Sequence, residues 1–203
     1  MTFPERIAIA SHNPHKLREL ARICTDWPVG WVTANNTDPD SFPDVEETGE
    51  TYLENALLKA RAVAAALGLP AMADDSGIEV LALGGKPGAR SARYAGRDAT
   101  DEQNLVALMR ATAGVPAPGR GARYMCVAAV AWPDGSEIHA EGVCEGSLLG
   151  KRRGSGGFGY DPVFVPAGWD ETMAELTAEQ KDRISHRGRA FRELRSLLAI
   201  PAG

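Results

Sequence analysis

Two acids stand side by side at Asp74-Asp75, followed by Ser76-Gly77 and flanked on both sides by apolar residues. Adjacent carboxylates in such a setting repel each other and are costly to bury unless a cation or a hydrogen-bond donor lies between them. Glu46 and Glu47 precede the helix that leads to this pair. One carboxylate from each could share a single Mg2+, an oxygen-ligated ion that keeps several waters and takes one or two protein carboxylates. That arrangement suits the binding of nucleotide phosphates. The same residues also fit an Asx-turn between two strands, with its acids in water.

Ser11-His12-Asn13-Pro14-His15-Lys16 leaves a short strand and opens a helix. The first amides of a helix and its dipole attract an anion, and Lys16 in the first turn reaches one as a point charge, so the turn is a candidate phosphate seat. A capped helix with a solvent-exposed lysine accounts for the same residues, since nothing here matches G-x-x-x-x-G-K-[ST]. His12 and His15 have no further ligands nearby and are assigned no metal.

A third cluster is glycine-rich: Gly154 to Asp161 carries Phe158, Gly159, Tyr160 and Asp161. Phe158 can stack on a purine while Asp161 accepts hydrogen bonds from ring N–H groups; a flexible loop is the plainer reading. Lys181, His186 and Arg187 offer donors from a helix start, or form a solvated basic face.

These residues need elements to position them. Arg6 to Ala10 reads as a strand, and Lys16 to Cys24 repeats apolar residues at helical spacing. Thr51 with Glu54, Thr100 with Gln103, and Thr177 with Gln180 each spell a capping box. They predict helices to Gly68, to Ala113 and, with Ser185 as a further cap, up to Leu198. Ile78 to Leu83 is strand-like, and Arg123 to Trp132 turns at Pro133-Asp134-Gly135 into Glu137 to Glu145 as a hairpin; Val163 to Val165 is a further short strand. The order of elements is α/β with a substantial antiparallel share, read as one domain over residues 1–203 with two lobes meeting at a cleft.

The 203 residues can bury roughly 70% of the unfolded chain's surface. Cys24, Cys126 and Cys144 are odd in number and lack C-x-x-C spacing, which points to reduced core thiols. A net charge of -5 argues against wrapping extended nucleic acid. The charge is uneven. Seven acids and no Lys or Arg fall between Asp38 and Glu54, whereas Lys181 to Arg195 holds six bases and two acids. Solvated faces of opposite sign explain this, and so does a ligand that combines metal and phosphate charge. No apolar run reaches the ~20 residues of a membrane span, and Met1 to Ala10 lacks a signal-peptide pattern, so the expected location is the cytoplasm.

Seven blocks in order resemble the inosine triphosphate pyrophosphatase family, the XTP/dITP diphosphatases. They are Ser11-His12-Asn13 with Lys16, Glu46-Glu47-Thr48-Gly49, Glu54-Asn55-Ala56 with Lys59-Ala60-Arg61, Ala73-Asp74-Asp75-Ser76-Gly77, Ser91-Ala92-Arg93-Tyr94, Gly156 to Pro162, and Ser185-His186-Arg187-Gly188. The resemblance implies an elongated mixed sheet with flanking helices and two lobes around a central cleft. It also implies a homodimer that uses Mg2+ to split non-standard purine nucleoside triphosphates into monophosphate and pyrophosphate. By position, Ser11 to Lys16 would hold phosphates, Glu47 and Asp75 would hold Mg2+, and Asp75 would be the general base. Ser76 would contact substrate, Phe158, Gly159, Tyr160 and Asp161 would line the base pocket, and Lys181, His186 and Arg187 would read the base edge. His12 stands where many members carry glycine; histidine tolerates positive φ far less well than glycine, which implies a slightly displaced phosphate turn. Two other readings use the same residues: a nucleotide- or RNA-binding module without chemistry, and a pyrophosphatase acting on other modified nucleotides.

Overall fold

The computed structural model describes residues 3–37 and 41–199, so Asp38 and Asp40 of the acidic run lie outside the described residues. Strand β1 (Arg6–Ile9) leads into helix α1 (Pro14–Ile23) and strand β2 (Gly30–Val32). Helix α2 (Tyr52–Leu67) and strand β3 (Ala71–Val80) follow, then helix α3 (Asp101–Ala111). Strands β4 (Gly121–Ala131) and β5 (Glu137–Leu148) form the expected hairpin, and β6 (Phe164–Pro166), α4 (Ala178–Ile184) and α5 (His186–Leu198) complete the chain. One mixed sheet runs in the order β2-β1-β3-β4-β5-β6. β1 is parallel to β2 and to β3, and β5 is antiparallel to β6.

The helices begin where their caps dictate. Thr51 Oγ1 accepts from the Glu54 amide while Glu54 Oε2 accepts from the Thr51 amide, and Gly68, at φ 61, closes α2 in the left-handed conformation. Thr100 with Gln103 and Thr177 with Gln180 repeat the box at α3 and α4. Such caps are local hydrogen bonds, worth about 1 kcal/mol each, which is why sequence reveals them.

Two compact units share the chain. The first runs through Asp75, takes in Cys126–Gly142 and resumes at Arg187; the second comprises Ser76–Met125 and Val143–His186. In the first, the alternation of β1 and β3 separates two cores. Ile7, Ile9 and Met72 pack with Leu20 of α1, with Cys24 that caps it, and with Phe191 and Leu194 of α5. Ala8, Ala71 and Ala73 face Ala60, Val63 and Ala64 of α2, where small side chains let helix and sheet approach closely. The second unit closes over Ile78, Leu105, Leu108, Tyr124, Leu148, Phe164 and Met173. All three cysteines are free and buried.

The structure corrects the sequence reading in four places. Asp74-Asp75-Ser76-Gly77 is the middle of a continuous strand and not a connecting loop. Leu81–Leu83 is a 3-10 turn and not the end of that strand. β2 is absent from the sequence reading, because three residues carry too little periodicity to recognise. His12 carries no positive φ: among the described residues only glycines do, so the ground for expecting a displaced turn there is absent.

Candidate active site

Strand alternation resolves the problem of the adjacent acids. On β3, Asp74 continues the face of Met72 and Asp75 the face of Ala73, so the two carboxylates leave the strand on opposite sides. Each meets its own cations. Asp74 Oδ2 takes Lys16 Nζ of α1 at 3.1 Å and Arg187 Nη2 of α5 at 3.0 Å. Asp75 Oδ2 accepts from Asn55 Nδ2 of α2 at 3.0 Å, and its Oδ1 lies 4.0 Å from Lys59 Nζ. Lys59 also donates to Glu47 Oε1 at 2.5 Å and to the Asp74 carbonyl at 2.8 Å.

These environments push the two acids apart. Burial would raise the Asp74 carboxyl, but Lys16, Arg187 and Lys59 overcome it and hold the group well below the usual carboxylate range. Burial raises Asp75 above that range; Lys59 and Lys16 pull against the shift, and Glu47 adds to it. Burial would lower Lys16, yet Asp74 keeps that ammonium above its ordinary value. One acid is a fixed anion, and its neighbour is a carboxyl suited to exchanging a proton.

A hard cation fits this set. Glu47 and Asp75 already converge on one cation, the Lys59 ammonium, and both offer oxygen. Asp74 Oδ1, on the other side of the strand, is also buried without a hydrogen-bond donor but does not belong to this set. Among the described residues no group of three or more His, Cys, Asp or Glu forms a ready-made cage. Mg2+ does not require one when substrate oxygens complete its shell.

At the start of α1, Asn13 Oδ1 accepts from the His15 and Lys16 amides at 2.8 and 3.2 Å, and Ser11 Oγ accepts from the Asn13 amide at 3.2 Å. Asn13 therefore caps two of the amides an anion would use, with Pro14 at the first helical position. His15 pairs with Arg18, and the His12 ring meets Phe42 edge-on. Lys16 is the member of this turn that the structure joins to the acid pair.

In the second unit, Asp161 is buried and already has donors. Its Oδ2 accepts from the Phe158 amide at 2.9 Å and from Lys181 Nζ at 2.5 Å, and its Oδ1 accepts from the Tyr124 hydroxyl at 3.2 Å. Gly157 makes this possible: its φ is +69, and a Cβ there would lie 2.0 Å from Asp161 Oδ2. Lys181 Nζ sits 5.0 Å from the Phe158 ring centroid, a cation–π contact. Tyr124 stacks on His186 with centroids 4.6 Å apart. Tyr160 donates to the Ser91 carbonyl at 2.7 Å.

Asp161 and Arg187 each have charged partners within the protein. The Asp161 oxygens accept from the Phe158 backbone and the Lys181 ammonium. Arg187 is 1% exposed, and its guanidinium lies between Glu19 Oε2, at 2.5 Å, and Asp74. It is a buried counter-charge of the first unit.

The sequence reading assigns nothing to Asn55 and Lys59 beyond their place in a block. Their spacing of four residues places both on the buried face of α2, a polar pair one turn apart in an apolar stripe, and that spacing is the signal that marks them. Asn55 is fully buried and also accepts from the Gly49 amide at 2.8 Å, tying the Glu47 segment to Asp75.

The Ham1 family model matches residues 7–197. A dITP/XTP pyrophosphatase of Streptomyces coelicolor is 49% identical over 189 residues, 93% of this chain and 94% of that protein. A solved HAM1 protein from Coxiella burnetii superposes with a TM-score of 0.86 at 38% identity, covering 96% of this chain and 98% of its own. The Staphylococcus aureus Ham1 protein gives 0.83 at 41% identity over 95% and 97%. With a family match over nearly its whole length and relatives close to half identical, the chain belongs to the Ham1 family.

Proposed function

We propose that this protein is a pyrophosphatase that hydrolyses non-standard purine nucleoside triphosphates such as dITP, XTP and ITP to the monophosphate and pyrophosphate. The observation that carries the reading is the division of labour on β3: Asp74 held as a permanent anion by Lys16 and Arg187, and Asp75 raised by burial beside Glu47 and Lys59. The name borne by the curated relatives agrees with it.

Phosphoryl transfer asks little covalent chemistry of a protein and much positioning and charge. Lys16, the less buried member of its ion pair with Asp74, holds phosphate oxygens. Asp75 takes a proton from the attacking water, and Asn55 fixes the rotation of that carboxylate by donating to its Oδ2. Glu47 and Asp75 would hold Mg2+. The ion supplies charge neutralisation on the phosphate oxygens when bound. Ser76, next along the strand, contacts substrate.

The purine stacks on Phe158, with Gly159 and Tyr160 completing the pocket wall. Lys181 presents an ammonium, a donor-only group, beside the Phe158 ring. A 6-keto purine accepts from such a group, and the 6-amino group of adenine does not. His186, stacked on Tyr124, forms a second edge of the pocket. We further propose that the enzyme is a homodimer, as the family resemblance implies, and that it acts in the cytoplasm; no helix among the described residues is long and apolar enough to cross a membrane.

A panel of dITP, XTP, ITP and dATP, assayed for pyrophosphate release with and without Mg2+, tests the reading. Mg2+-dependent release from the first three with dATP at least 100-fold slower supports it. Equal rates for dITP and dATP would overturn the base assignment, and full activity in a chelator would overturn the metal assignment.

A further inference from the structure

The first unit contains a chain of alternating charges that ends on Lys16. Glu19 lies on the buried face of α1, one turn beyond Lys16, and is 6% exposed. Arg187 Nη1 donates to Glu19 Oε2 at 2.5 Å, and Arg187 Nη2 and Nε donate to Asp74 Oδ2 at 3.0 and 3.3 Å. Lys16 Nζ meets the same oxygen at 3.1 Å and the Asp74 carbonyl at 3.3 Å. Three elements meet in this chain: Glu19 and Lys16 from α1, Arg187 from the first turn of α5, and Asp74 from β3.

A carboxylate is expensive to keep inside a core. Glu19 gains little from solvent, and one partner it holds is the guanidinium that orients Asp74. A guanidinium is a planar fork, so fixing one edge on Glu19 determines where its other edge presents hydrogen bonds to Asp74. Asp74 in turn shares one oxygen between Arg187 and Lys16, so any rotation of that carboxylate moves the point that anchors the ammonium. We infer that Glu19 is a positioning residue for phosphate binding: acting through Arg187 and Asp74, it sets where Lys16 presents its ammonium. This rests on the phosphate-holding role proposed above for Lys16.

The test uses the full-length protein at fixed free Mg2+, with inorganic tripolyphosphate as a competitive inhibitor of dITP hydrolysis, so that the base takes no part in the readout. Glu19→Gln keeps the shape and removes the charge. It is expected to raise Ki for tripolyphosphate and KM for dITP about tenfold, the effect of one misplaced charge-assisted hydrogen bond, with kcat changed by less than about threefold. Glu19→Asp, which keeps the charge but withdraws it, should fall between the wild type and Glu19→Gln. Lys16→Met should raise Ki at least as far, and adding Glu19→Gln to it should raise Ki no further, since Glu19 acts only through Lys16. Leu108→Ala, in the core of the second unit, should lower Tm and leave Ki unchanged, which separates positioning from plain loss of stability.

A folded Glu19→Gln protein with Ki within about twofold of wild type, while Lys16→Met raises it, overturns the inference and leaves the phosphate role of Lys16 standing. Multiplicative effects in the double variant overturn it as well. An unchanged Ki in Lys16→Met removes the phosphate role itself, and this inference with it. Should Glu19→Gln fail to fold, Glu19→Asp decides alone: a Ki within about twofold of wild type overturns the inference.

Discussion

Asp161→Asn separates two accounts of the glycine-rich loop. If Asp161 reads a purine N–H, the substitution alters base preference and leaves the folded protein as stable as before. The structure predicts the opposite. The Asp161 and Lys181 side chains are 4% and 8% exposed and 2.5 Å apart, and the same carboxylate receives the Phe158 amide and the Tyr124 hydroxyl. An amide of the same shape has no charge for Lys181; turned one way its NH2 group faces the Phe158 N–H and the Lys181 ammonium, and turned the other it can donate only by making the Tyr124 hydroxyl give up its own donation. Breaking a buried ion pair by neutralising one partner costs about 3–5 kcal/mol. At an m-value of roughly 4 kcal/mol/M in guanidinium chloride, the unfolding midpoint should fall by about 1 M. KM for dITP should rise together with KM for dATP, because Phe158 loses its anchor for every base. Equilibrium unfolding and steady-state kinetics on the two substrates measure both quantities. A midpoint within about 0.2 M of wild type, accompanied by selective loss of dITP turnover, would show that Asp161 faces the base and refute the loop-anchoring role.

Asp75→Asn should lower kcat by about 10² to 10⁴-fold, roughly 3 to 5 kcal/mol, with near-native circular dichroism, because it removes the proposed base at constant shape. Wild-type turnover in the folded variant rejects that role. Gly157→Ala should destabilise the protein by at least about 1–3 kcal/mol, since φ is +69 and the new methyl would collide with Asp161 Oδ2; a neutral effect on Tm contradicts the loop geometry. Arg153 and the Thr172 amide hold the Glu175 carboxyl down at about 2, below its ordinary 4.5. Stability from this group is therefore complete above about pH 4.5 and is lost as pH falls toward 2. Glu175→Gln should flatten stability against pH within that window alone, and unchanged curvature there counts against the assignment.

The parts of this molecule that sequence reveals are those whose physics is local. Thr51 and Glu54 lie three residues apart and exchange hydrogen bonds across one turn, so their helix start is visible without any tertiary structure. The acid pair is visible in sequence as chemistry but reads as a loop, because its counter-charges arrive from far along the chain: Lys16 is 58 residues from Asp74 and Arg187 is 113. A strand can carry two adjacent buried acids only when folding brings separate cations to its two faces, and no local pattern encodes that. Arg187 follows His186 in sequence, and adjacency alone groups the two. In the fold the arginine pairs with Glu19 and Asp74, while the histidine stacks on the Tyr124 ring. Asn55 and Lys59 are legible in sequence as polar residues one turn apart within an apolar helix stripe, but the acids they meet are set only by the packing of α2 on β3.

The central claim, that the cluster on β3 directs cleavage between the α and β phosphorus atoms of a non-standard purine nucleotide, is tested most directly by the products of dITP hydrolysis. Phosphorus NMR on the Mg2+-loaded protein, with no other phosphatase present, should show dIMP and pyrophosphate growing in equal amounts, with both signals abolished in Asp75→Asn. Orthophosphate appearing with dIDP, or product formation undiminished in that variant, would contradict the account.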